Sequence, residues 1–598
     1  MLLEVLKENF EQIFVCDAEF ICDKKDKGER PNVVCFVFKE IISGKTYKHY
    51  EDSLKELPPH KPKKTLFVAY NVNAEASCIA NLKIKMPIYW WDCFIENQKL
   101  YRGRINGGKG AFSMLRTAKR YGIECMSEDL KKWNISQILN NPEHKIEDTL
   151  DYCEKDVIAT EKLFYEQLKD IERTFANKGP REIIQHALIH GRSMAYTAIV
   201  EHNGIPIDNE LLDEINYNFP VAKEKIIEDI NSRLDVYENG SLSNKKFKSL
   251  VARLGLIDQW PKTPNGQLST TEKVIYKFAQ QNEAINEFYF LKEFVDSQKL
   301  KGFIVGPDGR ARTDLNMFGT ATGRTNQSTS RYPFNTAKPM RNIIKPNMHW
   351  ALVSGDWKSQ EVYIAAHLSK DQTLMDMLEE EDIYIQIAIK AGALPKGSIR
   401  NEETESIRNK YKTVLLGLLY GRGAKSLREE LGITHDEAVK IIHDLKTMFS
   451  TYFAWINDLV NMAYARGYMS TKFGWRYWIG KEDKINPRTL SNFPIQAHGS
   501  EMLRLALIDL TEKGFEVNGL IHDGIMIHVP LVKLNETELK FKQIMENASR
   551  LILDGKVCPA DTKVIKSNFK QGKEEQKKFE RMISIIRDPS NRSTPLVA

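Results

Sequence analysis

The sequence predicts an α/β protein of several domains, on three observations. Residues 351–353, Ala-Leu-Val, read as a buried strand that delivers Asp356 at its end. From Trp357 the spacing turns helical, with Val362, Ile364, Ala365 and Leu368 able to face a core. Residues 13–20 read as a second strand, carrying acids at 17 and 19, and the chain between 176 and 345 is mostly helical by period. A strand that hands an acid to a helix start holds a metal ligand rigidly, although an Asp there also serves as an N-cap.

A chain of 598 residues has room for several cores. Its 42% hydrophobic and 28% charged residues describe an ordered globular protein. The net charge of +6 is mildly basic and compatible with nucleic acid. Seven of eight cysteines precede residue 154 and none forms a CxxC pair. A zinc site or disulfide framework is therefore not expected, and a reducing compartment fits. With no signal peptide and no apolar run of membrane length, the expected location is the cytoplasm, with no membrane partner.

In the first strand, period-two geometry puts Asp17 and Glu19 on one face. Two such acids repel unless a cation or solvent lies between them. A strand at 65–70 follows, then Asn71-Val72-Asn73-Ala74-Glu75. A helix over 146–168 places Tyr152 and Asp156 at i and i+4, on one face. These pieces resemble the 3′→5′ proofreading exonucleases of the DEDD type. Asp17 and Glu19 match the first motif, and Tyr152 and Asp156 match the third in its YxxxD form. The second motif normally ends in Asp; here Glu75 takes that place, with Asp92 as a substitute. The resemblance implies two divalent cations on Asp17, Glu19 and Asp156, with Glu75 assisting and Tyr152 orienting the attacking water.

The middle region breaks at 204–206 and 261–266, and residues 263–270 read as a turn running into a capped helix. A strand over 311–317 leads to Thr322-Gly323-Arg324, which reads either as a surface turn or as a setting for a phosphate or base-edge contact by Arg324. Lys338, Arg341 and Lys345 add positive charge. Further on, Arg408, Lys412, Leu416 and Tyr420 recur every four residues, on one slowly drifting helix face. Cations for a triphosphate followed by an aromatic beside a base is the order nucleotide binding needs. Residues 519–529 read as a β-hairpin with Asp523-Gly524 as its turn pair. Its apolar arms suggest burial, and a buried turn acid needs a cation or a donor.

Together these stretches resemble the family A DNA polymerases, the DNA polymerase I class. DWKSQE with AHLS matches the first motif, residues 408–421 match RxxxKxxxFGxxYG, and His522-Asp523-Gly524 matches HDE. Residues 492–496, Asn-Phe-Pro-Ile-Gln, and the Thr-Gly-Arg element match as well. The resemblance implies a ribonuclease H-like exonuclease domain (1–175) and a right-hand polymerase domain (176–598). Within the latter it implies a thumb at about 200–320, a palm at about 321–400 and 485–565, fingers at about 401–484, and a charged tail over 566–598 that reads as a solvated helix. It implies two Mg²⁺ ions per active site, with Mn²⁺ as a substitute, held in the polymerase site by Asp356 and Asp523. Arg408 and Lys412 would neutralise the triphosphate of a dNTP, with Lys412 as general acid. Glu361 would be the steric gate, and Tyr420 would pack at the templating position. Arg324, Arg341, Gln496 and His522 would touch primer-template DNA.

Three departures stand out: Leu416 for an aromatic, Gly524 for Glu, and Trp357 for Tyr. The first implies altered discrimination against dideoxynucleotides, the second a metal site resting on Asp523 alone, and the third a change in packing. A 5′-nuclease segment has no counterpart, which reads as a phage-type monomer replicating a phage genome, with replication accessory proteins as further partners. The competing readings are a single-subunit RNA polymerase, opposed by Glu361 and the exonuclease motifs, and an idle DNA-binding protein, opposed by the intact acids.

Overall fold

The computed structural model describes residues 1–22, 30–105, 110–125, 136–138, 141, 143–263, 265–296, 303, 305–327, 331–480, 487–570 and 572–588. Chain contacts group them into two compact units, one of residues 1–203, 314–327 and 353–564, the other of 204–313, 328–352 and 565–598.

The first unit opens with a five-stranded sheet of β1 (Gln12–Ile21), β2 (Asn32–Glu40), β3 (Thr46–Tyr50), β4 (Thr65–Ala69) and β5 (Tyr89–Asp92), in the order β3-β2-β1-β4-β5. β2 runs antiparallel to β1 and β3, while β1, β4 and β5 run parallel. Ile13 to Cys16 are all buried because the central strand is covered on both faces. On one face Phe14 stacks on Phe67 at 5.4 Å. On the other, Ile13 and Val15 join a core with Cys153, Val157, Phe164 and Leu168 of a later helix. The helices that frame this sheet are α1 (Val72–Asn81), α2 (Cys93–Tyr101), α3 (Ile146–Thr174) and α4 (Pro180–Asn203). α3 runs past the expected end at 168, because Ile171 continues its buried stripe. Asp92 caps α2, accepting from Ile95 N at 2.8 Å and Val72 N at 2.9 Å, so it holds helix starts rather than standing in for Glu75.

Also in the first unit is a four-stranded sheet of β6 (Trp350–Trp357), β8 (Glu516–Ile521), β9 (Gly524–Pro530) and β10 (Ala560–Ile565), in the order β8-β9-β6-β10. Its helices are α5 (Gln360–Ser369), α6 (Glu402–Leu419), α7 (Pro487–Glu512) and α8 (Leu534–Ile552), and a short strand β7 (Arg476–Trp478) lies between α6 and α7. α8 packs so tightly on β6 that a Cβ on Gly355 would meet Met545 Sδ and Phe541 Cε1 at 2.5 Å. Asp356 is not a helix cap: Ser359, in the left-handed region, is the N-cap of α5. Leu368 of α5 is only half-buried, whereas Ala366 is fully buried. The hairpin pairs Ile521 with Gly524, so its turn residues are His522 and Asp523, not Asp523-Gly524. His522 takes the positive φ of 55°. Gly524 opens β9, and a Cβ there would meet Gly355 O at 2.9 Å. Close strand approach, not turn geometry, explains this glycine.

The second unit holds the helices Asn209–Arg233, Glu272–Ala279, Glu283–Asp296 and Lys573–Arg587, with Trp260 stacked on Phe278 at 4.3 Å. The expected strand over 311–317 shrinks to Arg310–Ala311, paired with Ile205–Pro206. Beyond it Arg312 turns to Asp308, Leu315 N bonds the Glu201 carboxylate at 2.6 Å, and Asn316 has a φ of 45°. The helix after 263–270 begins at Glu272, with Thr271 as an N-cap that makes no side-chain cap bond; Pro264 lies outside the described residues. The charged tail is helical over Lys573–Arg587 but is not simply solvated, since Met582, Ile583, Ile585 and Ile586 are buried; residues 589–598 lie outside the described residues.

α4 crosses β5 closely, and a Cβ on Gly191 would lie 2.0 Å from Trp90 O. Gly191→Ala should therefore destabilise the fold by about 1–3 kcal/mol. Thermal denaturation should show a lower melting temperature than wild type.

Candidate active site

β6 and β9 are neighbours, and their ends bring Asp356 and Asp523 together. A Cβ on Gly524, next to Asp523, would lie 3.9 Å from Asp356 Cβ. Asp356 opens to solvent at the strand end. The protein mass around it raises its carboxyl above the usual range, with Glu361 and Asp561 adding to the rise. Burial pushes Asp523 up to about 7, with Glu361 and Asp356 adding and Arg324 opposing. Arg324 Nη2 stands 2.7 Å from Asp523 Oδ1 and 3.9 Å from Glu361 Oε1. A guanidinium thus occupies part of the place where the two acids call for positive charge. A pair of carboxylates at abutting strand ends is a hard oxygen donor set that suits a divalent cation.

Arg324 is held by its backbone. Its N–H donates to Thr320 Oγ1 at 3.0 Å, Arg504 Nη1 donates to Gly323 O at 2.7 Å, and Trp475 Nε1 donates to Ala321 O at 2.9 Å. Gly323 has a φ of +72°, and a Cβ there would sit 3.2 Å from Arg504 Nη1. The turn is therefore clamped rather than a loose surface loop. Arg504 was not legible as a functional residue, since it belongs to no spaced pattern, whereas Trp475 lies in the 471–476 stretch that resembles the family's fingers-to-palm segment.

Arg408, Lys412, Leu416 and Tyr420 do share the face of α6, Tyr420 being its C-cap. Arg408 Nε pairs with Asp382 Oδ2 at 2.6 Å, and Arg408 and Lys412 both lie over the Tyr384 ring, at 5.2 and 5.7 Å. Lys412 is exposed and acts electrostatically on Asp356. Leu416 is half-buried. Tyr420 Oη donates to Glu361 Oε1 at 2.7 Å, and Gln496, buried in α7, lies beside this hydroxyl. His522 is exposed on the hairpin turn. Arg341 belongs to the second unit, half-buried in the turn Lys338–Ile343. Asp382 was missed, although an acid before Ile383-Tyr384-Ile385 is a cap signature, and it does accept from Tyr384 N at 3.0 Å.

In the N-terminal sheet, Asp17, Glu19 and Asp156 offer carboxylate oxygens within 4.8 Å of one another. Among the described residues, this is the one close group of three or more metal-binding side chains. Burial raises the Tyr152 hydroxyl, and Asp156, Glu19 and Asp17 raise it further, so the phenol stays protonated over the acids. Glu75 is buried on α1 and lies outside the close group. Cys153 Sγ donates to Asp17 Oδ2 at 3.4 Å and Asp17 O at 3.3 Å, a support that the Tyr152–Asp156 spacing did not reveal.

Residues 209–565 match the model for DNA polymerase family A. The chain belongs to this family. It is 26% identical over 383 residues to the thermostable DNA polymerase I of Thermus thermophilus, covering 59% of this chain and 44% of that one. It is 25% identical over 488 residues to the DNA polymerase I of Bacillus subtilis, covering 76% and 53%. The chain thus matches about half the length of these relatives or less. The solved polymerase domain of Pol1 from M. smegmatis, in complex with DNA primer-template and dNTP, superposes with a TM-score of 0.72 at 18% identity, covering 95% of this chain and 97% of that one. The fold of that structure therefore extends over nearly the whole chain. Among the described residues, no helix is long and apolar enough to cross a membrane.

The Asp523 carboxyl rises from 3.8 to about 7 on folding. A raised acid contributes stability in its protonated form, which is lost as pH climbs through that window. Protons and cations then compete for the same oxygens. MgCl2 should raise the melting temperature of cation-free protein more at pH 8 than at pH 6. Differential scanning fluorimetry reads this directly, and an equal rise at both pH values would contradict it.

Proposed function

We propose that this chain synthesises DNA from dNTPs on a primed template, and trims 3′ ends at a second site. The observation that carries the first activity is the meeting of Asp356 and Asp523 at adjacent strand ends, beside Lys412, inside a family A match. Asp356 and Asp523 would hold divalent cations, Mg²⁺ or Mn²⁺, which would supply acidification of a primer hydroxyl and charge balance for the leaving pyrophosphate. Lys412 is exposed, whereas Arg408 is tied to Asp382, so triphosphate charge meets Lys412 first. Lys412 is then placed to give a proton to the leaving group. Glu361, fixed by Tyr420, limits the room beside the sugar and so favours deoxyribose. Arg324 and Gln496 face the growing end, with His522 at the hairpin tip; Arg341 serves as a DNA contact of the second unit.

The trimming site is the group Asp17, Glu19 and Asp156, with the Tyr152 hydroxyl on it and Glu75 assisting from beneath. The strand order β3-β2-β1-β4-β5 supports a ribonuclease H-like exonuclease domain. Two sites suit a copying enzyme. A single shape-reading pocket separates near-isosteres by roughly 10–200-fold, and a hydrolytic second site multiplies that selection.

Asp523→Asn should lower primer extension on the order of 100–1000-fold, the scale of losing one preorganised electrostatic group. A gel-resolved extension assay with dNTPs checks it, and extension at the wild-type rate would remove the assignment. Asp17→Ala should abolish shortening of a labelled 3′ end while leaving extension intact. Trimming that persists in this variant would place the hydrolytic site elsewhere.

A further inference from the structure

The N-terminal sheet domain meets the polymerase-type core of the same unit along a seam of unusual chemistry. At its centre Glu96 of α2, fully buried, takes two partners. Lys99 Nζ lies 2.7 Å from Oε2, and His190 Nδ1 lies 2.8 Å from Oε1. Lys99 and His190 are each 1% exposed. Burial would raise Glu96, but Lys99 and His190 hold it down at about 2, while burial keeps His190 at about 4 and neutral. The cluster is thus a carboxylate and an ammonium joined by a neutral imidazole donating through Nδ1. The Glu96–Lys99 pair lies within α2 and adds little to stability; a shift of the seam would take His190 away and leave the buried carboxylate one donor short. The cluster therefore favours one register of the two domains.

That register reaches the turn bearing Arg324. The His190 ring meets Phe318 edge-on at 5.3 Å and Trp475 at 6.1 Å. Arg102, just after α2, donates through Nη2 to Phe318 O at 3.0 Å. Trp478 Nε1 donates to Lys99 O at 3.0 Å, and Trp478 N donates to Arg102 O at 3.0 Å. Gly103 lets the turn after α2 approach β7, since a Cβ there would fall 1.9 Å from Trp478 O. Phe318 lies under the Arg504 guanidinium at 4.3 Å, and Trp475 and Arg504 are the side chains that clamp residues 321–323. From Glu96 to Arg324 each link is a direct contact between buried or half-buried groups.

We propose that Arg102 and the Glu96–Lys99–His190 cluster are positioning residues for DNA synthesis: the N-terminal domain sets the 320–324 turn, and through it Arg324 at the growing end. This rests on the polymerase reading above. It makes the N-terminal domain part of the synthetic centre, whether or not it also trims. Arg102 and Trp478 touch neither acid site, and their contacts lead to the turn through Phe318 and Lys99.

The test is a double-mutant cycle in the full-length chain. Arg102→Met and Trp478→Phe are each made in wild type and in Arg324→Ala. Primer extension under single-turnover conditions gives the rate and the dNTP dependence. Arg102→Met should lower the maximal rate about tenfold, with the dNTP KM within about twofold of wild type. Trp478→Phe, which keeps the ring and loses the bond to Lys99 O, should lower it about threefold and covers the case that Arg102→Met fails to fold. In the Arg324→Ala background neither change should cost anything further. Equal losses in both backgrounds would show a general structural effect and overturn the inference. So would variants that match wild type. A wild-type chain that extends no primer would overturn the polymerase reading itself, and this inference with it.

Discussion

Two like charges at abutting strand ends are the constraint on which this structure depends. Asp356 and Asp523 come from stretches far apart in sequence, and their strands lie side by side. Gly355 and Gly524 make that approach close, one admitting α8 against β6 and the other admitting the Gly355 carbonyl against β9. A side chain on Gly524 would push β9 from β6 and separate the acids, and one on Gly355 would push α8 off the sheet. The repulsion left over is met by Arg324, whose own position is set by a clamped turn rather than by its side chain.

The groups that face the site are already paired. Arg324 is with Asp523, Arg408 with Asp382, and Tyr420 with Glu361. Substrate and cations would exchange partners with these groups instead of meeting bare charges, which limits desolvation on binding. Lys412, the exposed cation of the α6 face, is the group that can meet a phosphate without first leaving a carboxylate. The same logic runs through the N-terminal sheet, where the Tyr152 hydroxyl and the Cys153 thiol both lean on the acid group.

Much of this was legible in one dimension. Asp17 and Glu19 share a strand face, and Tyr152 and Asp156 share a helix face, because periodicity alone places them. The step of four from Arg408 to Tyr420 likewise needs only an α-helix. Local reasoning failed where a residue's role comes from something distant. Gly524 read as a turn glycine, yet it answers to a carbonyl on another strand, and the turn itself is His522-Asp523. Residues 312–317 read as a strand, yet their backbone is taken by side-chain partners such as the Glu201 carboxylate. Asp92 read as a substitute ligand, yet it holds two helix starts.

The amino-acid sequence by itself determined which carboxylates, cations and aromatics share a strand or helix face, since that follows from spacing along a regular backbone. It also carried the motif order that marks the family. Only the tertiary structure decided that Asp356 and Asp523 meet, that Arg324 stands between Asp523 and Glu361, and that Arg408 is held by Asp382. It alone showed a buried Glu96–Lys99–His190 cluster joined to the Arg324 turn. Such pairings depend on long-range packing, and no local period encodes the distance between two elements that the chain brings together only on folding.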